Sequence, residues 1–234
     1  MQRTDIGLLE KAIGYTFKDK KLLTEALTHS SYAHELRTKK VEVACNERLE
    51  FLGDSVLSIV TSEYLFSRFS DLPEGDLTHI RAALVQSQAL ASYARKIELG
   101  EYLYLGNGEE KNRNRQSILE DAFEALLAAI YLDAGENGLG EIRRFLIPIV
   151  KCSLDQHVDE IIHSDAKTEL QQLTQISDGA TPTYIITGES GPDHAKIFEV
   201  EVRLNSNVIG HGQGKSKRQA EQNAAREALR LFGV

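Results

Sequence analysis

The apolar residues of this chain change their spacing near residue 164, and this change constrains the fold more than any other feature. Before it, apolar residues recur every three or four positions between breaks at Gly and Pro, which predicts helices. After it, residues 198–204 alternate between apolar and charged side chains, as is typical of a half-buried strand. We predict an all-helical domain over residues 1–156, a linker over 157–164 and a small α+β domain over 165–234.

The same patterns place the individual elements. In the first domain we predict helices near residues 4–13, 19–28, 46–69, 75–98, 116–133 and 138–156. In the second we predict the order α-β-β-β-α, with a helix at 166–176, strands at 183–190, 196–206 and 207–214, and a helix at 216–232. Tyr184 and Phe198 are expected in the core of this second domain.

Composition excludes several classes of protein. The formal net charge is −8, so bulk basicity gives no argument for nucleic-acid binding. Residues 1–162 carry 26 acidic and 19 basic side chains, a net of −7, and residues 163–234 carry 9 and 8, a net of −1. The longest apolar run, Ala125–Leu132, is far shorter than the roughly 20 residues that span a bilayer. We therefore expect no membrane segment and a cytoplasmic protein, with Cys45 and Cys152 reduced.

Acidic residues cluster on two of the predicted helices. Glu47, Glu50 and Asp54 lie within roughly 60° of one another on a helix whose other positions are largely apolar. Asp121 and Glu124 repeat the arrangement on a second apolar helix. Buried carboxylates repel one another, and oxygen ligands without Cys or His suit Mg²⁺ or Mn²⁺. The pattern indicates phosphoryl chemistry at a divalent cation.

The alternative prediction is structural. The acids could instead pair with arginines in salt bridges between helices, and the candidate partners are Arg48, Arg81 and Arg95. A nucleophilic pair of His29 with Ser30 is a second alternative, although side chains adjacent in sequence seldom meet in the required geometry.

Positive charge gathers at the start of the last predicted helix. Ser216 is a candidate N-cap beside Lys215, Lys217 and Arg218. These cations oppose the helix dipole, so the helix start is suited to receive phosphate.

Four motifs, in order along the chain, resemble the ribonuclease III family. They are LTHSSY at 27–32, NERLEFLGDS at 46–55, EGDLTHIRAALV at 74–85 and SILEDAFEALLAAIYLDAG at 117–135. The resemblance implies that Glu50, Asp121 and Glu124 bind Mg²⁺, with Mn²⁺ able to substitute, and that Asp54 and Glu124 are catalytic. It also implies that Glu47 is an accessory acid and that Phe51 contacts the partner in a homodimer.

The implied activity is hydrolysis of double-stranded RNA by an endoribonuclease. Each subunit would cut one strand, leaving 5′-phosphate and 3′-hydroxyl ends with short 3′ overhangs. The family processes ribosomal RNA precursors and some messenger and transfer RNA. One departure is the loop 106–117, which is shorter than the family's usual glycine-rich version and leaves open how Lys111, Arg113 and Arg115 approach RNA.

The second predicted domain resembles a double-stranded RNA-binding domain, which recognises the shape of the A-form duplex. The resemblance implies that Thr168, Glu169 and Gln172 contact one minor groove and that Pro192 and His194 contact the next. Lys215, Lys217 and Arg218 would bridge the phosphates between them. A catalytically inactive double-stranded RNA-binding protein is the alternative function, and a helical phosphohydrolase of nucleotides is a third.

Overall fold

The computed structural model describes residues 5–163, 166–177, 179–192 and 196–232, without the side chains of 156–163, 176 and 177. Contacts divide the chain into two compact units, Met1–Gln156 and His157–Val234. The first unit is helical. Its helices are α1 Ile6–Ile13, α2 Lys20–Ala26, α3 Ser30–Thr38, α4 Glu47–Arg68, α5 Glu74–Val85, α6 Ser87–Lys96, α7 Gln116–Ala134 and α8 Gly138–His163.

The second unit has the predicted order α-β-β-β-α. Its elements are α9 Ala166–Ser177, β1 Thr183–Ser190, β2 Ile197–Leu204, β3 Asn207–Gly214 and α10 Lys217–Leu231. The strands form an antiparallel sheet in the order β1-β2-β3. The fold class expected from the sequence is confirmed. No helix among the described residues is both long enough and apolar enough to cross a membrane.

The helical unit differs from the prediction at two boundaries and in one additional helix. The helix expected over 75–98 is two helices, because Gln86 adopts an extended backbone at ψ 154° and no glycine or proline signals the break. Helix α3 lies between two of the predicted helices and was not predicted. Helix α8 continues to His163, so residues 157–163 of the predicted linker are helical.

Helix α7 is the centre of the first unit. Its residues from Ile118 to Ile130 are almost all buried, which fits the rule that a helix apolar on every side lies inside a domain. Helices α2, α4 and α6 pack against it, and α4 makes the most extensive contact with it. Any charged residue on the middle of α7 is therefore held close to the core.

Strand β3 packs on α10 through glycines facing alanines. A β-carbon at Gly212 would lie 2.2 Å from the main-chain nitrogen of Ala224 and 2.2 Å from the carbonyl oxygen of Ala220, so only glycine permits this approach. Gly210 and Gly214 are similarly close to α10. Tyr184 and Phe198 pack against the same core, as predicted.

Candidate functional site

The predicted acids lie on two helices that approach each other at a glycine. Gly53 of α4 lies against the main chain of Glu124 in α7, where a β-carbon at position 53 would be 1.9 Å from the Glu124 carbonyl oxygen. The backbone of Gly53 is helical, so the glycine is required for the close approach rather than for a special φ angle. This contact places the acids of α4 beside those of α7.

The acids differ in their exposure to solvent. Glu47 and Asp54 are exposed, and Glu50 and Asp121 are half-buried. Glu124 is only 9% exposed, although it carries a carboxylate. The cluster therefore runs from the surface into the core, with Glu124 as its innermost member.

Burial and mutual repulsion raise the pKa of three of these acids. Burial, followed by the charges of Asp54, Glu120, Glu50 and Asp121, raises the pKa of Glu124 to about 8. Burial also raises the pKa of Glu50, and the neighbouring Asp121 raises it further. The pKa of Asp121 is raised by burial and then by Glu120. Each effect disfavours the charged carboxylates in the absence of a compensating cation.

The structural alternative, salt bridges with arginines, is not observed. Arg81 donates instead to a serine hydroxyl of α4 at 3.0 Å, and Arg95 donates to a main-chain carbonyl at 3.3 Å. Within the described ranges, no lysine or arginine forms an ion pair with Glu50, Glu124 or the acids between them in the cluster. In the part of the chain that the structure describes, the repulsion in the cluster is therefore not offset by an ion pair with lysine or arginine.

The donor chemistry of the cluster fits a hard divalent cation, because every side chain offers only carboxylate oxygen. Among the residues that the structure describes, however, no three or more His, Cys, Asp or Glu side chains converge closely enough to hold a metal ion. The cluster is thus an uncompensated, open group of acids rather than a preformed cage. Metal binding by Glu50, Asp121 and Glu124 stays a prediction.

A further acid, Glu120, belongs to this cluster and was not predicted. It lies one helical turn before Glu124 and contributes repulsion to Glu50, Asp121 and Glu124. The hydroxyl of Ser87 at the start of α6 donates to its carboxylate. The spacing of four residues between the two glutamates was the signal that could have identified it.

Helix α4 also carries a stripe of exposed apolar side chains. Phe51 is 80% exposed, Ile59 is 54% exposed and Phe66 is 75% exposed. These residues lie within about 80° of one another around the helix. A stripe of this size is unfavourable in water and is typical of a protein interface.

The histidine in the first motif has a structural role. His29 Nδ1 accepts from the Ser31 main-chain nitrogen at 3.2 Å and lies 2.8 Å from Ser31 Oγ. The imidazole thereby caps the N-terminus of α3. Its contacts involve Ser31, so the nucleophilic pair considered with Ser30 gains no support.

The cations of the loop 106–117 are not equivalent. Arg113 donates to the Gly100 carbonyl oxygen at 2.6 Å and to Glu110 at 2.6 Å, so its guanidinium is engaged inside the unit. Lys111 and Arg115 are exposed. Only these last two are placed to meet a ligand in solution.

In the second unit, the residues predicted to contact the minor grooves are on the surface where they are described. Thr168, Glu169 and Gln172 are exposed on α9, and Pro192 is exposed after β1. His194 lies outside the described residues. These positions leave the predicted contacts sterically accessible.

The predicted phosphate site at the start of α10 has the expected local structure. The Ser216 side chain accepts from the Gln219 nitrogen at 3.2 Å, which confirms the predicted N-cap. Lys215, Lys217 and Arg218 are exposed around this cap. The Lys217 ammonium also lies 5.7 Å from the centre of the Phe198 ring, which orients its side chain.

Comparison with known proteins gives the same division of the chain. Residues 19–148 match the family model for ribonuclease-III-like proteins, and residues 166–231 match that for the double-stranded RNA binding motif. A protein named Ribonuclease 3 from Caldanaerobacter subterraneus subsp. tengcongensis is 52% identical over 228 residues, covering 97% of each chain. Ribonuclease 3 of Nitratiruptor sp. is 44% identical over 225 residues, covering 95% of each.

A solved structure resembles the helical unit. The nuclease domain of ribonuclease III from Campylobacter jejuni, described with flexibility in a region involved in dimer formation, aligns with a TM-score of 0.56 and 40% identity. The alignment covers 63% of this chain and 96% of the Campylobacter chain.

Proposed function

The chain belongs to the ribonuclease III family, and from this premise we propose that it is an endoribonuclease that hydrolyses double-stranded RNA with Mg²⁺ as its cofactor. The observation that carries the proposal is the group of acids around Glu124. Among the residues that the structure describes, no lysine or arginine forms an ion pair with these carboxylates, and a bound cation would offset their burial and repulsion.

The residues of the cluster have different tasks in this reaction. Glu50, Asp121 and Glu124 would hold the cation, which supplies positive charge to offset the charge that develops on the phosphate and the departing oxygen. Because its pKa is about 8, the Glu124 carboxyl holds a proton at neutral pH in the metal-free protein, and it would have to be ionised to hold the cation. Exposed Asp54 orients the attacking water and accepts its proton. As the water oxygen bonds to phosphorus, the bond from phosphorus to the 3′ oxygen breaks, and the departing oxygen takes a proton from solvent water.

This direction of attack determines the products. Because the 3′ oxygen leaves, the cut strands end in a 5′-phosphate and a 3′-hydroxyl. The ribose 2′-hydroxyl is not needed as a nucleophile, so selection of RNA comes from binding rather than from the chemical step. Manganese, which accepts the same oxygen ligands, would substitute for magnesium.

We assign the working form as a homodimer. The stripe of Phe51, Ile59 and Phe66 on α4 is the exposed apolar surface that a second copy would cover. Since the stripe and the acids share one helix, association would bring Glu47, on the exposed first turn of α4, near the partner. Two subunits cutting one strand each would leave short 3′ overhangs.

The second unit would supply the affinity for the duplex. The cations around Ser216 provide charge for backbone phosphates, and the exposed face of α9 provides polar contacts for a minor groove. This recognition follows shape rather than sequence, which suits the processing of structured ribosomal, messenger and transfer RNA precursors in the cytoplasm. The alternative of an inactive binding protein is not favoured, since every acid of the cluster is present.

Cleavage of a long RNA duplex with Mg²⁺ tests the proposal. We expect short duplex products with 5′-phosphate and 3′-hydroxyl ends, and we expect neither a single strand of the same sequence nor a DNA duplex to be cut. Products ending in a 2′,3′-cyclic phosphate would contradict water attack at the acidic cluster. Binding of the duplex without cutting at any Mg²⁺ concentration would favour the inactive alternative.

A further inference from the structure

The loop that follows Leu105 is fixed to helix α3 at two points. The Gly106 main-chain nitrogen donates to Ser31 Oγ at 3.0 Å. The next residue, Asn107, donates from its main-chain nitrogen to Glu35 Oε2 at 3.0 Å and from its side-chain amide to Glu35 Oε1 at 2.8 Å. Both oxygens of one carboxylate are therefore occupied by one residue of the loop.

The two anchoring residues lie one turn apart on the same face of α3. Ser31 and Glu35 have the spacing i and i+4, so they meet consecutive residues of the loop at once. Gly106 also has to approach closely, because a β-carbon there would lie 2.8 Å from the Ser31 carbonyl oxygen. The start of the loop is thereby fixed in both position and direction.

Glu35 remains a charged acceptor near neutral pH. The hydrogen bond from the Asn107 main chain, and then that from Lys39, hold the pKa of Glu35 below its ordinary value. Lys39 Nζ lies 3.0 Å from Glu35 Oε1. An ionised carboxylate forms stronger hydrogen bonds than a neutral group would.

From this geometry we propose that Glu35 is a positioning residue that holds the loop 106–117 so that Lys111 can contact the phosphates of the RNA duplex. The inference rests on the proposed function. Lys111 lies four residues after Asn107 in a short 3-10 turn, Glu110–Asn112, and its side chain is exposed. Near the end of the same loop, the Arg113 guanidinium donates hydrogen bonds to the Gly100 carbonyl oxygen and to the Glu110 carboxylate. The fixed start and end leave Lys111 at the exposed middle.

A double-mutant cycle separates positioning from a merely structural effect. The four proteins are the native chain, Lys111→Ala, Glu35→Ala and the double variant, all measured on a long RNA duplex with Mg²⁺. We expect Lys111→Ala to raise KM about 3- to 10-fold in the native background, as for loss of one phosphate contact, with kcat changed less than about 2-fold. In the Glu35→Ala background the same change should have almost no further effect.

Two controls keep the result interpretable. Glu42→Ala removes an equally negative, exposed side chain that has no hydrogen bond to a described residue, and it should leave the effect of Lys111→Ala intact. Glu35→Gln keeps the size of the side chain but loses the charge, and we expect an intermediate KM. Circular dichroism and thermal unfolding establish whether each variant is folded.

The same four proteins can be compared without cleavage by measuring the dissociation constant for the duplex in EDTA. The inference would be overturned if Lys111→Ala raised KM and the dissociation constant by the same factor in the native and the Glu35→Ala backgrounds. It would also be overturned if the Lys111→Ala variant bound and cut the duplex like the native chain. Failure of the native chain to cut duplex RNA would instead count against the proposed function. In that case the binding cycle would still decide whether Glu35 positions Lys111.

Discussion

Gly53 and Glu124 set each other's position in this protein. The glycine has no side chain, so the main chain of α7 can reach the surface of α4 at Glu124, whose pKa is raised by the charge of the neighbouring Asp54. The most deeply buried acid of the cluster is therefore placed by a packing contact that involves no polar group of its own side chain.

Gly53→Ala should separate the two helices and misplace the acids. The added methyl group would meet the Glu124 carbonyl, and relief of this clash should cost about 1–3 kcal/mol of stability. We expect kcat for duplex RNA to fall at least about tenfold, a loss of about 1.4 kcal/mol in transition-state binding. Gly75→Ala is the matched control, because a β-carbon at Gly75 in α5 meets nothing within 4 Å. Equal activities of the two variants would contradict the packing argument.

Glu124 should make the metal-free protein less stable as the pH rises. Its pKa in the folded state is about 8, against an ordinary value of 4.5, so the folded state keeps its proton while the unfolded state loses it. The contribution of Glu124 to the free energy of unfolding therefore falls between these two pH values and is level outside them. Thermal unfolding in EDTA should show Glu124→Gln to be more stable than the native chain at pH 8, and equal to it at pH 4. Parallel pH profiles for the two proteins would show that the carboxyl is not perturbed.

Phe51 should determine the association of two subunits. Phe51→Glu puts a charge into the exposed apolar stripe of α4, which would have to be desolvated on association. Sedimentation should show the native chain as a dimer at micromolar concentration and the variant as a monomer. Leu8→Glu changes another exposed apolar side chain, on α1, and should leave the dimer intact. A dimeric Phe51→Glu protein would place the interface elsewhere.

Gly212→Ala should unfold the second unit without affecting the first. Its methyl group would meet the main chain of α10 at 2.2 Å, a clash that neither β3 nor the helix can relieve locally. We expect loss of the cooperative unfolding of residues 157–234 and a large loss of affinity for duplex RNA. Val208→Ala, at an exposed position of the same strand, is the control. Unchanged unfolding of the Gly212 variant would contradict the packing described for β3.

Much of the fold follows from the period of the apolar residues. The elements of the second unit were predicted within two residues, because alternation along β2 and the cap at Ser216 are local signals. Helix α3 could not be predicted in this way, since its N-cap is the side chain of His29 and its contacts are with a loop some 75 residues later. The break at Gln86 similarly has no local cause in the sequence.

The acids of the site were predictable, while their energetics were not. Spacing on two apolar helices identified Glu50, Asp54 and Glu124, but the depth of Glu124 depends on how α4 crosses α7. The hydrogen bond from Arg113 to the Gly100 carbonyl oxygen is likewise a tertiary contact. The glycines of β3 were interpreted only as part of a strand, although their spacing of two residues, and the spacing of four between Ala220, Ala224 and Ala228 in α10, were visible in the sequence.

The central claim is that the acids around Glu124 cut duplex RNA, and the Glu124→Gln variant tests it most directly. The measurement is cleavage of a long RNA duplex with Mg²⁺, together with binding of the same duplex in EDTA, and Glu136→Gln, in an exposed turn, is the control. We predict that Glu124→Gln cuts at least about 10³-fold more slowly, a loss of about 4 kcal/mol, while its affinity for the duplex is unchanged. A Glu124→Gln protein that cuts at the native rate would contradict the assignment of the active site.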